Sequence, residues 1–279
     1  MHFWRFRSPL KPAFAVAALA VLSGSAMSQQ DRNPFIGQNH FPQYRQLSGL
    51  SGGGYGLDLD GWGSLDGPTA ISTPLGIALG HDQVRVTGND TFFNTNAFTH
   101  TDSTGKIALM YGHTFGSFNL AYTYFVKSYE GDASTNLQLS YDPHNANIPD
   151  VSFGVQDIVG NGGSAGQFQP TDGASSRSFF GALTYKVPTG GQGTTPIYLT
   201  GGWGTRRFGK GFASATYQIA GPLRIFAEFD GFGFNEGILL AYRDHGRNDE
   251  DQPQHAFEAD LMLGFIQGHY PTVGVTVGF

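Results

Sequence analysis

The chain has 279 residues, no Cys, and 22 Asp+Glu against 16 Lys+Arg, a formal charge of −6. The acidic balance argues against nucleic acid as a partner, and the absence of Cys rules out a disulfide framework and fits export. With 41 Gly, 24 Phe and 12 Tyr, the chain is aromatic-rich yet weakly hydrophobic. That balance suits a barrel whose lipid-facing residues are diluted by lumen residues.

Residues 1–28 read as a signal peptide. Arg5, Arg7 and Lys11 precede the ten-residue apolar run Ala13–Leu22, and Ala26-Met27-Ser28 supplies a small-x-small cleavage site. The run is too short to cross a bilayer as a helix. Cleavage would leave 13 basic against 22 acidic residues. Residues 29–80 read as a Gly-rich N-terminal segment, either a plug or a periplasmic leader. Beyond residue 28 no apolar run reaches helical-span length, so any membrane crossing must come from strands.

Residues 81–279 read as the barrel. Strands are expected at about 82–92, 105–113, 117–127, 133–141, 148–158, 177–187, 195–204, 210–219, 222–230, 233–243, 256–266 and 269–279. Most run nine to eleven residues, the length a tilted strand needs to cross a bilayer. Turns fall at Thr114–Gly116, Gly221-Pro222 and Asp230-Gly231. The alternation is plain in two of these segments. Phe257, Ala259, Leu261, Leu263 and Phe265 oppose Glu258, Asp260, Met262 and Gly264. Leu223, Ile225, Ala227 and Phe229 oppose Arg224, Phe226, Glu228 and Asp230. The fold class is therefore all-β: a single transmembrane antiparallel barrel of about 12 strands, within a range of 10–14. A secreted soluble sandwich would show the same alternation with its apolar face turned inward.

The last strand places Val273, Val275, Val277 and Phe279 on one face. It resembles the terminal strand of bacterial outer-membrane barrels, where a final Phe forms part of the signal read by the barrel-assembly machinery. The resemblance implies outer-membrane lipid and that machinery as partners, in the cell outer membrane of a Gram-negative bacterium. Counting back from a periplasmic C-terminus places the 159–176 loop outside the cell and the acidic 244–255 loop in the periplasm.

An ordered set of motifs resembles the YjbH-like family of exopolysaccharide-associated outer-membrane barrels. The set is Gly67-Pro68-Thr69-Ala70; Val151-Ser152-Phe153-Gly154-Val155-Gln156-Asp157-Ile158; Gly201-Gly202-Trp203-Gly204; Arg207-Phe208 with Gly211-Phe212; and Ala227-Glu228-Phe229-Asp230-Gly231. It covers about residues 67–243 of a chain much shorter than the long family members. The resemblance implies a link to polysaccharide secretion and no catalytic residues.

Enzyme signatures fail on context. Gly204–Lys210 matches a phosphate-loop spacing, but Gly211 stands where Ser or Thr should hold magnesium, and strands flank it. Gly49-Leu50-Ser51-Gly52-Gly53 and Gly162-Gly163-Ser164-Ala165-Gly166 match a nucleophile elbow but lie in Gly-rich coil. No cofactor, metal or catalytic group is expected. The candidate residues line the lumen: Gln156, Asp157, Arg206, Arg207, Arg224, Glu228, Asp230 and Arg243. Opposite charges there would form a ladder across strands, serving either as a structural filling or as a selectivity zone for a polar solute or polysaccharide. The expected function is a non-enzymatic outer-membrane barrel, porin-like or linked to exopolysaccharide secretion. The alternative is a closed structural or partner-binding barrel.

Overall fold

The computed structural model describes residues 68–278 apart from 72, 81, 93–102, 128–132, 144–146, 157, 159–176, 188–196, 206–207, 221, 232–233, 244–257, 267 and 269. The signal assigned to residues 1–28 and the part of the N-terminal segment up to residue 67 lie outside the described residues, as does Phe279.

Twelve strands follow in chain order: β1 (Gln83–Phe92), β2 (Ser103–Phe115), β3 (Phe118–Lys127), β4 (Ala133–Tyr141), β5 (Asp150–Gln156), β6 (Ser178–Val187), β7 (Ile197–Gly204), β8 (Phe212–Ala220), β9 (Leu223–Phe229), β10 (Phe234–Arg243), β11 (Glu258–Ile266) and β12 (Tyr270–Gly278). Each pairs antiparallel with its sequence neighbours, and β1 pairs β12 from Arg85↔Gly278 to Thr91↔Thr272. The sheet is thereby closed, with no edge strand left to seek a partner. The even count and nearest-neighbour order are those of an up-and-down barrel.

Alternation sorts the wall into two faces. Outside lie Leu109, Leu137, Leu139, Leu183, Leu199, Ile225, Ile238, Leu261 and Leu263, all exposed. Inside lie Asn89, Asn119, Thr123, Asn136, Gln138, Ser152, Gln156, Thr184, Thr200 and Thr216, all buried. Apolar outside and polar inside is the reverse of a sandwich core and excludes that reading. Val273 and Val275 of β12 take the outward parity, opposite Leu263 and Leu261 of β11, while Val277, of the same parity, is buried.

Aromatic residues ring the outer wall at both ends. Tyr111, Phe115, Phe118, Tyr141 and Tyr242 stand near the rim that carries Gly278, called here the C-terminal rim. Phe115 stacks on Phe118 at 5.8 Å, and Phe118 packs against Tyr141 at 5.2 Å. Phe179, Trp203, Phe234 and Phe265 stand near the far rim. Such girdles mark the two interfaces of a bilayer, where an amphipathic ring has one wet and one apolar side.

The wall makes a direct test of its own orientation. Leu261→Arg, near the middle of β11, should destabilise the barrel by about 2–4 kcal/mol in reversible urea unfolding from phospholipid vesicles. A loss well under about 1 kcal/mol would show that this face does not meet lipid.

Candidate functional site

The site is the lumen. A segment with no regular secondary structure, residues 68–80, occupies it before the chain enters β1. Nearly all of its described residues are buried. It is held by its backbone. Thr69 N donates to Thr216 Oγ1 at 2.8 Å, and Thr216 Oγ1 donates back to Thr69 O at 2.9 Å. Gly76 N donates to Thr184 Oγ1 at 2.7 Å, and Ala78 N donates to Ser140 Oγ at 3.0 Å. Leu75 O accepts from Ser152 Oγ at 2.6 Å and from Gln138 Nε2 at 2.7 Å. These bonds exchange backbone–water contacts for luminal hydroxyls and amides, so much of the segment's backbone is buried with partners, while the Thr69 hydroxyl is buried with none.

Apolar side chains fix the depth of this strap. Ile71 packs among Phe226, Leu239, Ala241, Met262 and Ile266. Ala78 and Leu79 pack against Met110 and Ala121. Gly112 of β2 is required by that approach: a Cβ there would stand 2.3 Å from the Leu79 carbonyl. The strap therefore runs from β8 and β9, across to β4, β5 and β6, and down to β2 and β3 at the C-terminal rim. There Asp82 turns the chain into β1 with φ of 55°, a left-handed conformation that Asp tolerates better than most residues. Its Oδ1 accepts from Tyr111 Oη at 2.8 Å and lies 2.6 Å from His113 Nδ1.

Glu228 latches the strap near the far rim. Its Oε2 accepts from Ile71 N at 3.0 Å, Thr73 N at 3.2 Å and Thr73 Oγ1 at 2.9 Å. Its Oε1 accepts from Asn235 Nδ2 at 2.7 Å, and the same amide reaches Asp230 Oδ2 at 3.2 Å. Bonds to a buried carboxylate are the stronger kind. Beside the latch, the turn after β7 inserts Phe208 between Phe180 (5.2 Å) and Phe212 (5.4 Å), both edge-on. Gly202 leaves the space for that cluster, since a Cβ there would lie 2.1 Å from the Phe212 ring.

The expected lumen residues divide. Gln156, Arg224, Glu228 and Asp230 are buried inside the barrel. Glu228 and Asp230 meet through Asn235, but Arg224 sits four residues away on β9, opposite Leu239 and toward the C-terminal rim. Four residues of strand are about 13 Å, which separates Arg224 from the cluster of Glu228, Asn235 and Asp230. Arg243 ends β10 in register with Glu258. Asp157, Arg206 and Arg207 lie outside the described residues. Sequence reasoning missed Arg85, whose Nη2 donates to Glu258 Oε2 at 2.8 Å. Arg85 is fully buried, and the pair joins β1 to β11 across β12. The two residues are 173 positions apart, and no local spacing signals them.

The lumen is consequently two-sided. At mid-height, β3 to β8 contribute neutral hydroxyls and amides, Thr123, Asn136, Gln138, Ser152, Thr184, Thr200 and Thr216 among them. The strands β9 to β11 and β1 contribute Arg224, Glu228, Asp260, Glu258 and Arg85, and the turn after β9 adds Asp230. Among the described residues no group of three or more His, Cys, Asp or Glu is placed to hold a metal ion.

No family model matches the chain, and no curated protein does. Solved structures similar to it include a KdgM porin, at 11% identity over 70% of this chain and 98% of that one, with a TM-score of 0.43. A KdgM porin in complex with disordered oligogalacturonate has the same identity and coverage, with a TM-score of 0.42. The COG4313 outer membrane channel from Pseudomonas putida F1 is 12% identical over 74% of this chain and 96% of that one, with a TM-score of 0.34. In architecture the present chain is a closed antiparallel β-barrel of twelve strands.

Two substitutions report on this arrangement. Glu228→Gln weakens the latch, and the Ile71 and Thr73 amides should exchange with deuterium about 10- to 100-fold faster, the effect of losing charge-assisted bonds. Unchanged exchange would mean that the strap is held elsewhere. Arg85→Met leaves Glu258 buried without its cation and should cost about 3–5 kcal/mol. Adding Glu258→Leu should recover much of that loss in the same unfolding assay.

Proposed function

We propose that this protein is a non-enzymatic outer-membrane porin-like barrel through which polar solutes, polysaccharide segments among them, pass. The observation that carries the reading is the pairing of an apolar, aromatic-girdled wall with a lumen faced by hydroxyl and amide groups. Sugar hydroxyls exchange hydrogen bonds readily with such groups, and no single strong site on the neutral half holds them back. The charged half supplies selectivity through Glu228 and Asp230 near the far rim and Arg224 toward the C-terminal rim. The motif resemblance to YjbH-like barrels supports a link to exopolysaccharide secretion. A signal-cleaved chain inserted through β12 by the barrel-assembly machinery completes the reading, with β12 as the recognition element.

A second reading is favoured by the strap. Residues 68–80 fill lumen that a solute would need, so the barrel as described is closed at least in part. In the proposed function the strap yields to passage; in a purely structural barrel it never does.

Planar-bilayer recording of the full chain separates the two. Excising residues 68–79 should raise single-channel conductance, and Glu228→Ala with Asp230→Ala should shift ion selectivity away from cations. Heat-modifiable migration on SDS gels verifies that each variant remains a barrel. Equal conductance with and without the strap, from folded protein, would leave the closed structural barrel as the answer.

A further inference from the structure

The luminal wall binds the strap by its amides. Five backbone N–H groups, of Thr69, Ile71, Thr73, Gly76 and Ala78, find acceptors on the wall. The carbonyls of Thr69 and Leu75 find donors there. Thr216 Oγ1 serves both halves of Thr69, accepting from its N–H and donating to its C=O. The wall therefore complements a chain of secondary amides, whatever side chains that chain carries.

At Ile71 the wall asks for more. Glu228 Oε2 accepts the Ile71 N–H at 3.0 Å, and the side chain of the same residue lies among Phe226, Leu239, Ala241, Met262 and Ile266. A strong acceptor thus stands beside an apolar pocket. The group that satisfies both is an amide N–H with a hydrocarbon next to it. Among carbohydrates, the acetamido substituent is that group, with its N–H, its C=O and its methyl. A uronate brings no N–H, and its carboxylate would face Glu228 and Asp230, which meet through Asn235. Elsewhere in the lumen Glu258 and Asp260 add to those two acids, against the buried Arg85 and Arg224. A plain hexose can offer a hydroxyl to Glu228 but nothing to the pocket beside it.

We infer that the lumen is a track for glycans built from 2-acetamido sugars, and that the strap is a tethered stand-in which such a glycan displaces. One acetamido N–H pairs with Glu228, and its methyl enters the pocket that Ile71 fills. Further amides along the glycan meet Thr216, Thr184 and Ser140, the groups that now hold Thr69, Gly76 and Ala78. Each such bond is individually modest because it replaces one to water, so the glycan is held at many weak stations. A sugar lacking the amide leaves buried acceptors unpaired, which is the more effective way to reject it. The inference deepens the passage reading and rests on it for the entry of a glycan into the lumen.

The test follows amide hydrogen exchange of the full-length protein in detergent micelles with the tetramer of N-acetylglucosamine, with maltotetraose or with tetragalacturonate. A glycan that binds only the strap-free lumen multiplies the strap-free fraction by one plus its concentration over its Kd. At a concentration of about ten times the Kd, the N-acetylglucosamine tetramer should speed exchange at Ile71, Thr73 and Gly76 about tenfold. The other two at the same concentration should give less than about twofold, because a lost bond to a carboxylate costs about tenfold or more in affinity. Equal acceleration by all three sugars, or the largest by tetragalacturonate, overturns the proposal. If no sugar accelerates exchange, calorimetric titration of the variant lacking residues 68–79, verified as a barrel by heat-modifiable migration, decides. Binding of the N-acetylglucosamine tetramer about tenfold tighter than maltotetraose, and lost on adding Glu228→Gln, upholds the track; no binding, or no preference, overturns it. Conductance is read separately. Selective binding by a strap-free barrel that never conducts would end the passage reading and leave this site standing as a glycan receptor.

Discussion

Closure of the sheet between β1 and β12 is the constraint on which the rest of the molecule depends. Seven residue pairs, from Arg85↔Gly278 to Thr91↔Thr272, join the two ends of the meander. In a bilayer each backbone group left unpaired costs several kcal/mol, so an open meander of this length would not persist there. Closure also sets the register of the whole wall, and register decides chemistry. A slip of one residue would turn Arg85, Arg224 and Asp260 toward lipid and bring Leu and Val into the lumen. The buried Arg85–Glu258 pair lies beside this seam and gains its geometry from it.

Much of the wall was legible beforehand because alternation is a local signal. All twelve strands lie where apolar and polar residues take turns, with their ends displaced by a few residues at most. The inward parity of Gln156, Arg224, Glu228 and Asp230 followed from the same rule. Residues 29–80 read as either a plug or a leader, but the strap's contacts were not legible, for a physical reason: it binds through the N–H groups of Thr69, Ile71, Thr73, Gly76 and Ala78, which any non-Pro residue supplies. Its sequence has no period because its partners come from many different strands.

The resembling motifs acquire concrete work in the folded chain. Gly202 and Phe212 fit against each other, and Phe208 closes the cluster with Phe180. Ala227-Glu228-Phe229-Asp230 places Ala227 on the outer wall, Glu228 on the strap and Asp230 beside Asn235. Neighbouring residues of one motif therefore serve the membrane face and the lumen in turn, as a two-residue repeat dictates. The charged residues that matter most inside the barrel are those whose partners arrive from distant strands, and pairwise spacing along one strand does not reveal them.

The strap has a further consequence for how the chain reaches its final form. It precedes β1, yet its hydrogen-bond partners lie 62 residues onward at Ser140 and up to 157 residues onward at Glu228. Contacts this remote in sequence are costly to form early, because the intervening chain must first give up its freedom. A barrel that zipped shut around an empty lumen would then have to admit a coil segment through a rim. The shorter route is for the meander to curl about the segment while the β1–β12 seam is still open, so that enclosure and closure finish together. Folding rate and the final seam are thereby tied to thirteen residues that belong to no strand.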